Sequence, residues 1–152
     1  MTSPPMRKLL LEALHISRVY RTGQPDETLA LRDVSMRIYA GDYLAILGTR
    51  GAGKTTLLRI LGLQDRPTTG TLHLEGRLVS ELTDAEMAAA RLPADRLQLI
   101  DDPPNHAELL KRLRQANQAG LTIVLATDDP EVAAHATGLF RIENGMIYAI
   151  GG

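Results

Sequence analysis

Apolar positions along the 152-residue chain change period several times, and each change marks an element. From Leu9 to Tyr20 apolar residues fall in alternating and short continuous stretches, which predicts a strand. Arg21–Glu27 (RTGQPDE) brings Gly, Pro and Asp together and reads as a turn. Leu29–Tyr39 alternates around Leu31, Val34, Met36 and Ile38, and Ala40–Asp42 supplies the next turn. Tyr43–Leu47 (YLAIL) is a short apolar run of the buried-strand kind, and Thr55–Leu63 (TTLLRILGL) reads as a helix. After a turn at Arg66–Gly70, Thr71–Val79 has period-two character around Glu75-Gly76, a hairpin pattern. Thr83-x-x-Glu86 is a capping box that opens a helix within Leu82–Leu92. Arg96–Pro104 predicts a strand ending in two carboxylates, and Ala107–Ala119 a helix that Gly120 stops. Leu121–Pro130 is almost continuously apolar, as in a strand buried on both faces of a parallel sheet. A short helix over Pro130–Ala136 and two strands flanking the Glu143–Gly145 turn complete the chain, and residues 1–6 read as a loose tail. Antiparallel strands ahead of a strand–helix alternation predict an α/β fold with a mainly parallel sheet flanked by helices.

Between the YLAIL strand and the following helix lies Gly48–Thr55, GTRGAGKT, which matches G-x-x-x-x-G-K-[ST] in full. Strand, glycine-rich loop and helix is the context in which this pattern is a phosphate-binding loop. Backbone N–H groups from Arg50 through Ala52 to Thr55 then point inward and surround the β-phosphate at a helix N-terminus, with Gly48 opening the loop. Gly51 and Gly53 admit torsions and a close approach that a side chain would block. Lys54 faces the β- and γ-phosphates, and the Thr55 hydroxyl is placed to ligate Mg²⁺. Thr56 follows as the next residue of the helix. The motif names a nucleoside triphosphate as the ligand class.

Composition narrows this picture without redirecting it. A net charge of −1 gives no broad attraction to nucleic acid. The absence of cysteine excludes disulfides and thiolate metal sites. No apolar run reaches the roughly 18–20 residues of a membrane span, and the first twenty residues carry no cleavage-site pattern. Aromatic residues are scarce, so Leu, Ile, Val and Ala must build the core.

Three further side chains invite a role. Asp101 ends an apolar strand, where ligands bind in open α/β sheets; it either holds Mg²⁺ through a water or caps the next turn. Asp102 is a candidate base toward an attacking water, with a short side chain that limits its reach. Tyr20, at a strand end, either stacks on a base or packs internally. His15, His73, His106 and His135 are scattered without ligand spacing and read as surface or packing residues.

The segments ISRVY (Ile16–Tyr20), Ala30–Gly76, LQLIDDP (Leu97–Pro103) and Leu121–Ile147 together resemble the nucleotide-binding subunit of ABC transporters, of the lipoprotein-release and macrolide-export branch. The resemblance implies that Tyr20 stacks on adenine, that the ligand is ATP with Mg²⁺, and that the antiparallel strands form a β-subdomain beside the P-loop core. It implies residues 1–152 as a single nucleotide-binding core domain. It also implies an ABC permease or a full-length ABC ATPase as partner, and a cytoplasmic place at the inner face of the plasma membrane.

Departures from the family pattern carry as much weight. After Leu92 the family continues into a Q-loop, a helical subdomain and an LSGGQ-type signature; here ARLPADR leads straight to the LQLID strand, so the helical subdomain is absent between about 92 and 96. The family's glutamate after the strand-end aspartate is Asp102, its switch histidine is Asp128, and the following D-loop is shortened to Pro104–Ala107. A carboxylate at position 128 repels a γ-phosphate. These changes beside an intact P-loop lead to three expectations. The first is a nucleotide binder impaired in hydrolysis. The second is an active ATPase completed by a full-length partner, and the third a scaffold with a relic loop.

Overall fold

A computed structural model describes residues 7–150; the expected tail over residues 1–6 lies outside the described residues. Two sheets organise the chain. The first is antiparallel, in the order β2-β1-β4-β5, from β1 (Leu9–Tyr20), β2 (Thr28–Tyr39), β4 (Thr69–Leu74) and β5 (Arg77–Leu78). The second has the order β6-β7-β3-β8-β9, from β3 (Tyr43–Leu47), β6 (Leu97–Asp101), β7 (Thr122–Thr127), β8 (Gly138–Glu143) and β9 (Met146–Ile150). Its first four strands run parallel, and β9 returns antiparallel along β8. The expected α/β class, with a mainly parallel sheet and an antiparallel companion, is the observed one.

Burial follows the apolar pattern. In β3 and β7 alternate residues point to opposite faces, and both faces are covered. Leu44, Ile46, Val124 and Ala126 pack with Leu57, Leu58, Ile60 and Leu61 of α1 (Lys54–Leu61) and with Leu31, Val34 and Ile38 of β2. Tyr43, Ala45, Ile123 and Leu125 pack on the other face. Their partners are Leu110 and Leu113 of α3 (Ala107–Gln118) and Val132 and Ala133 of α4 (Pro130–Ala133). The β2 residues tie the antiparallel sheet into the same core as α1, which fixes the first sheet beside the phosphate loop.

Element boundaries differ from the sequence reading for local reasons. The helix after the phosphate loop ends at Leu61, because Gly62 caps it and Leu63 turns to a φ of 59°. The Glu75-Gly76 turn, with φ of 49° and 84°, returns only two residues, Arg77–Leu78, before Val79–Glu81 tightens into a 3₁₀ turn. The strand expected to reach Pro104 stops at Asp101, where Asp102 takes a φ of 52° and Pro103 removes a donor. The final helix covers one turn, Pro130–Ala133. The capping box of α2 (Asp84–Ala90) forms as read: Thr83 Oγ1 accepts from Glu86 N and Glu86 Oε1 from Thr83 N.

Candidate functional site

The phosphate loop leaves the C-terminal end of β3 and enters α1, at the edge where β6 and β7 also end. Its path is set by close contacts. A Cβ on Gly53, at φ 107°, would lie 2.7 Å from the Ala30 carbonyl oxygen, so this position accepts only glycine. Gly51, at φ 83°, opens to free space and needs glycine for its torsion. The loop's side is closed by the β8–β9 turn, where Asn144 and Gly145 both have positive φ. Gly145 N donates to Ala52 O at 2.9 Å, and Arg32 N donates to Gly145 O at 2.8 Å. One turn therefore joins the phosphate loop to the antiparallel sheet.

An open cleft of about 990 Å³ faces this loop. It is lined by Arg50, Gly51, Gly53, Lys54, Thr55 and Thr56 of the loop and helix start, by Tyr20 on one side, and by Asp101, Asp102 and Asp128 on the other. Thr28, Leu29, Ala30, Arg32, Asn144, Gly145 and Met146 complete its wall. Of the residues singled out from sequence, Gly48 and Ala52 stand apart from this cleft. Gly48 packs on Ile142, Ala52 is buried, and both border a neighbouring groove on the loop's outer side.

Within the cleft the key polar groups are already paired. Thr55 Oγ1 donates to Asp101 Oδ2 at 2.7 Å, so a hydroxyl and a carboxylate oxygen sit together at the start of α1. Such hard oxygen donors suit a magnesium ion, with phosphate oxygens and water filling the rest of its shell. Lys54 Nζ folds back to donate to the Gly48 and Thr49 carbonyls. Asp102 and Asp128 are exposed to the cleft, while the neighbouring Asp129 caps α4 through Glu131 N. Among the described residues no group of three His, Cys, Asp or Glu side chains assembles as a metal site. The histidines stay apart from the cleft; His106, for instance, caps α3.

Two residues missed by sequence reasoning surround Tyr20. The Arg18 guanidinium lies over its ring, 4.4 Å from the centroid, and pairs with Asp65 at 3.0 Å. The Tyr20 hydroxyl donates to Asp65 Oδ2 at 3.1 Å. Although burial opposes its charge, the Asp65 carboxyl is held below the usual carboxylate range by bonds from Arg18, the Arg66 backbone and Tyr20. Local pattern carries no trace of a partnership spanning 47 residues; the sequence reading left Asp65 between the helix expected to end at Leu63 and the turn expected at Arg66–Gly70.

A parallel sheet, a phosphate loop at its C-terminal edge and a strand-end aspartate paired to the loop threonine define a P-loop nucleotide-binding fold. A sequence profile described as ABC transporter matches residues 31–144, and the chain belongs to that family, on the side of its ATP-binding subunits. The macrolide export ATP-binding/permease protein MacB of Hahella chejuensis is 41% identical over 86 residues, covering 57% of this chain and 13% of that protein. MacB of Salmonella typhimurium is 34% identical over 134 residues, covering 79% of this chain and 20% of the relative. The chain thus spans a fifth or less of these relatives' length. Among solved structures, the dimeric bacterial ABC transporter cassette MJ0796 superposes with a TM-score of 0.81 at 17% identity, covering 94% of this chain and 100% of that one. A second structure of MJ0796, in a post-hydrolysis state bound to ADP and Pi, superposes equally well. No described helix is long and apolar enough to cross a membrane.

Proposed function

We propose that this chain binds ATP or ADP with Mg²⁺ in the cleft above Gly48–Thr55 and hydrolyses ATP poorly or not at all. The observation that carries the reading is the pairing of Thr55 with Asp101 beside an intact loop, in a cleft that also exposes Asp102 and Asp128. Lys54 exchanges the Gly48 and Thr49 carbonyls for phosphate oxygens, and the backbone N–H groups of Arg50–Thr56 surround the β-phosphate. Tyr20 stacks on the base, and Thr55 and Asp101 hold the magnesium. Bound there, the ion neutralises phosphate charge. Asp102 is the group nearest in kind to a general base, one methylene shorter than the glutamate it replaces, and Asp128 offers a carboxylate where a hydrogen-bond donor to the γ-phosphate is needed.

The organisation that goes with this reading is one ABC-type core domain over residues 1–152, with the helical subdomain absent between about 92 and 96. Titration of a fluorescent ATP analogue with and without Mg²⁺ tests binding: saturation below millimolar concentration is expected with Mg²⁺, and its loss in Lys54→Ala. Absence of binding up to millimolar ligand overturns the reading in favour of a scaffold with a relic loop.

A second reading is favoured by the relatives, which are ATP-binding/permease proteins, and by the dimeric state of MJ0796. In it the chain pairs with a permease or a full-length ABC ATPase at the cytoplasmic face of the membrane, and the partner supplies the missing signature. Phosphate release that requires both the partner and Lys54 would support it.

A further inference from the structure

We propose that Arg18 and Asp65 act as a positioning clamp that turns Tyr20 into a fixed, one-sided stacking platform for the purine of the bound nucleotide; this rests on the nucleotide-binding reading above. The geometry is a closed ring of three side chains. Arg18 Nε and Nη2 donate to Asp65 Oδ2 at 3.0 Å and Oδ1 at 3.2 Å, a bidentate pair. The Tyr20 hydroxyl donates to the same Asp65 Oδ2 at 3.1 Å and lies 3.4 Å from Thr56 Oγ1. The ring closes where the guanidinium of Arg18 covers one face of Tyr20 at 4.4 Å. The pair is largely shielded, with side-chain exposures of 24% for Arg18 and 17% for Asp65.

Each contact removes one freedom of the phenol ring. The hydroxyl tie sets its tilt, and the guanidinium closes one face, leaving the other for a ligand. A ring held in place before binding loses less conformational entropy when a base settles on it. Arg18 is anchored a second time by donating to Val19 O, and Asp65 by accepting from Arg66 N, so the clamp is fixed to β1 and to the segment after α1. Because Thr56 adjoins Thr55, the same contacts tie the stacking end of the cleft to the helix that carries the phosphate end. Leu29 and Met146, apolar yet 40% and 42% exposed, line the same cleft and suit a flat, weakly polar ring. The larger face of a purine gains more from such a platform than a pyrimidine does, while stacking alone separates adenine from guanine weakly.

Two ligands, each with Mg²⁺, test this: ATP, and inorganic tripolyphosphate, which lacks base and sugar. The wild-type chain is expected to bind ATP tighter than tripolyphosphate and tighter than CTP. Arg18→Met, which keeps the stem and removes the charge, and Asp65→Asn are expected to weaken ATP by about three- to tenfold and leave tripolyphosphate unchanged. Equal weakening of both ligands, or of neither, overturns the clamp. Should Arg18→Met fail to fold, Tyr20→Phe decides: it keeps the ring and cuts the tie, and an ATP-selective loss of about two- to threefold is expected, with no such loss overturning the proposal. A wild-type chain that binds neither ATP nor tripolyphosphate is a failure of the nucleotide reading itself, separable from failure of the clamp.

Discussion

Three aspartates, Asp101, Asp102 and Asp128, share a cleft with Lys54, and their balance decides how a polyanion is received. Asp101 is committed to Thr55, but Asp102 and Asp128 present carboxylates to the space without a side-chain partner among the described residues. A triphosphate entering there meets like charge, so binding depends on a divalent cation more steeply than the loop alone would require. Asp128→Asn removes one unit of that repulsion. At a few ångströms in a water-like medium a unit pair is worth about 1 kcal/mol, so the substitution is expected to tighten Mg-ATP about fivefold. Mg-ADP, which lacks the γ-phosphate, should change less. Calorimetric titration of both nucleotides checks this, and an equal effect on each would place Asp128 away from the γ-phosphate. The phosphate loop was legible at this scale because its chemistry needs consecutive residues. The Tyr20–Arg18–Asp65 contacts were not, because they depend on how β1 and the end of α1 meet in space.

The β8–β9 turn is the element on which the cleft's geometry depends most directly. Sequence marked Glu143–Gly145 as a turn, and it is one; that it bridges Ala52 and Arg32 could not be read from a local pattern. A Cβ at Gly145 would meet the Ala30 carbonyl oxygen at 2.5 Å, at a φ of 77° that side chains disfavour. Gly145→Ala is expected to destabilise the fold by roughly 1–3 kcal/mol and to weaken nucleotide binding, since the phosphate loop and β2 must separate to admit the methyl group. Urea unfolding beside a binding titration measures both, and a destabilised variant with wild-type affinity would show the turn to be structural only. The short link between α2 and β6 is held in a related way. Arg91 donates to the Leu63 carbonyl, and Arg96 forms a bidentate pair with Glu75 in the β4–β5 turn. Arg96, with help from Lys8, lowers the Glu75 carboxyl from 4.5 to about 2. Its charged form is favoured in the folded state, so this stabilisation is complete above the ordinary carboxylate value and fades as pH falls toward 2. Glu75→Gln should therefore cost under about 1 kcal/mol near neutrality and only a small remainder of that at pH 2, a difference that unfolding curves across that range resolve.

For the whole molecule, alternating and continuous apolar runs were enough to anticipate antiparallel strands ahead of a mainly parallel α/β core; that β2 shares its core with α1 was not among the expectations. The near-continuous run at Leu121–Pro130 became β7 over Thr122–Thr127, buried throughout, because a strand covered on both faces has no polar side to display. Boundaries shifted where one residue's backbone overruled its neighbours, as at Leu63 and Asp102. Convergence was the illegible part: β1, β2, α1, the ends of β6 and β7 and the β8–β9 turn each bring one to four residues to the cleft, and that meeting is a property of the assembled sheets. It also bears on turnover. The chain passes from α2 to β6 through six residues, Arg91–Arg96, where the family resemblance implies a helical subdomain and the signature that completes a partner's ATP site. On the proposed reading, restoring the side chains in the cleft leaves a second deficit in place. The double change Asp102→Glu with Asp128→His is expected to leave phosphate release by the isolated chain at the Lys54→Ala background, even with bound Mg-ATP. Mixed with a full-length cassette inactivated at its own phosphate-loop lysine, the double variant should hydrolyse ATP, because the partner contributes the signature to this chain's loop. Turnover by the double variant alone would instead trace the proposed weakness in hydrolysis to Asp102 and Asp128, and silence in the mixture would mean that this chain does not form a composite site.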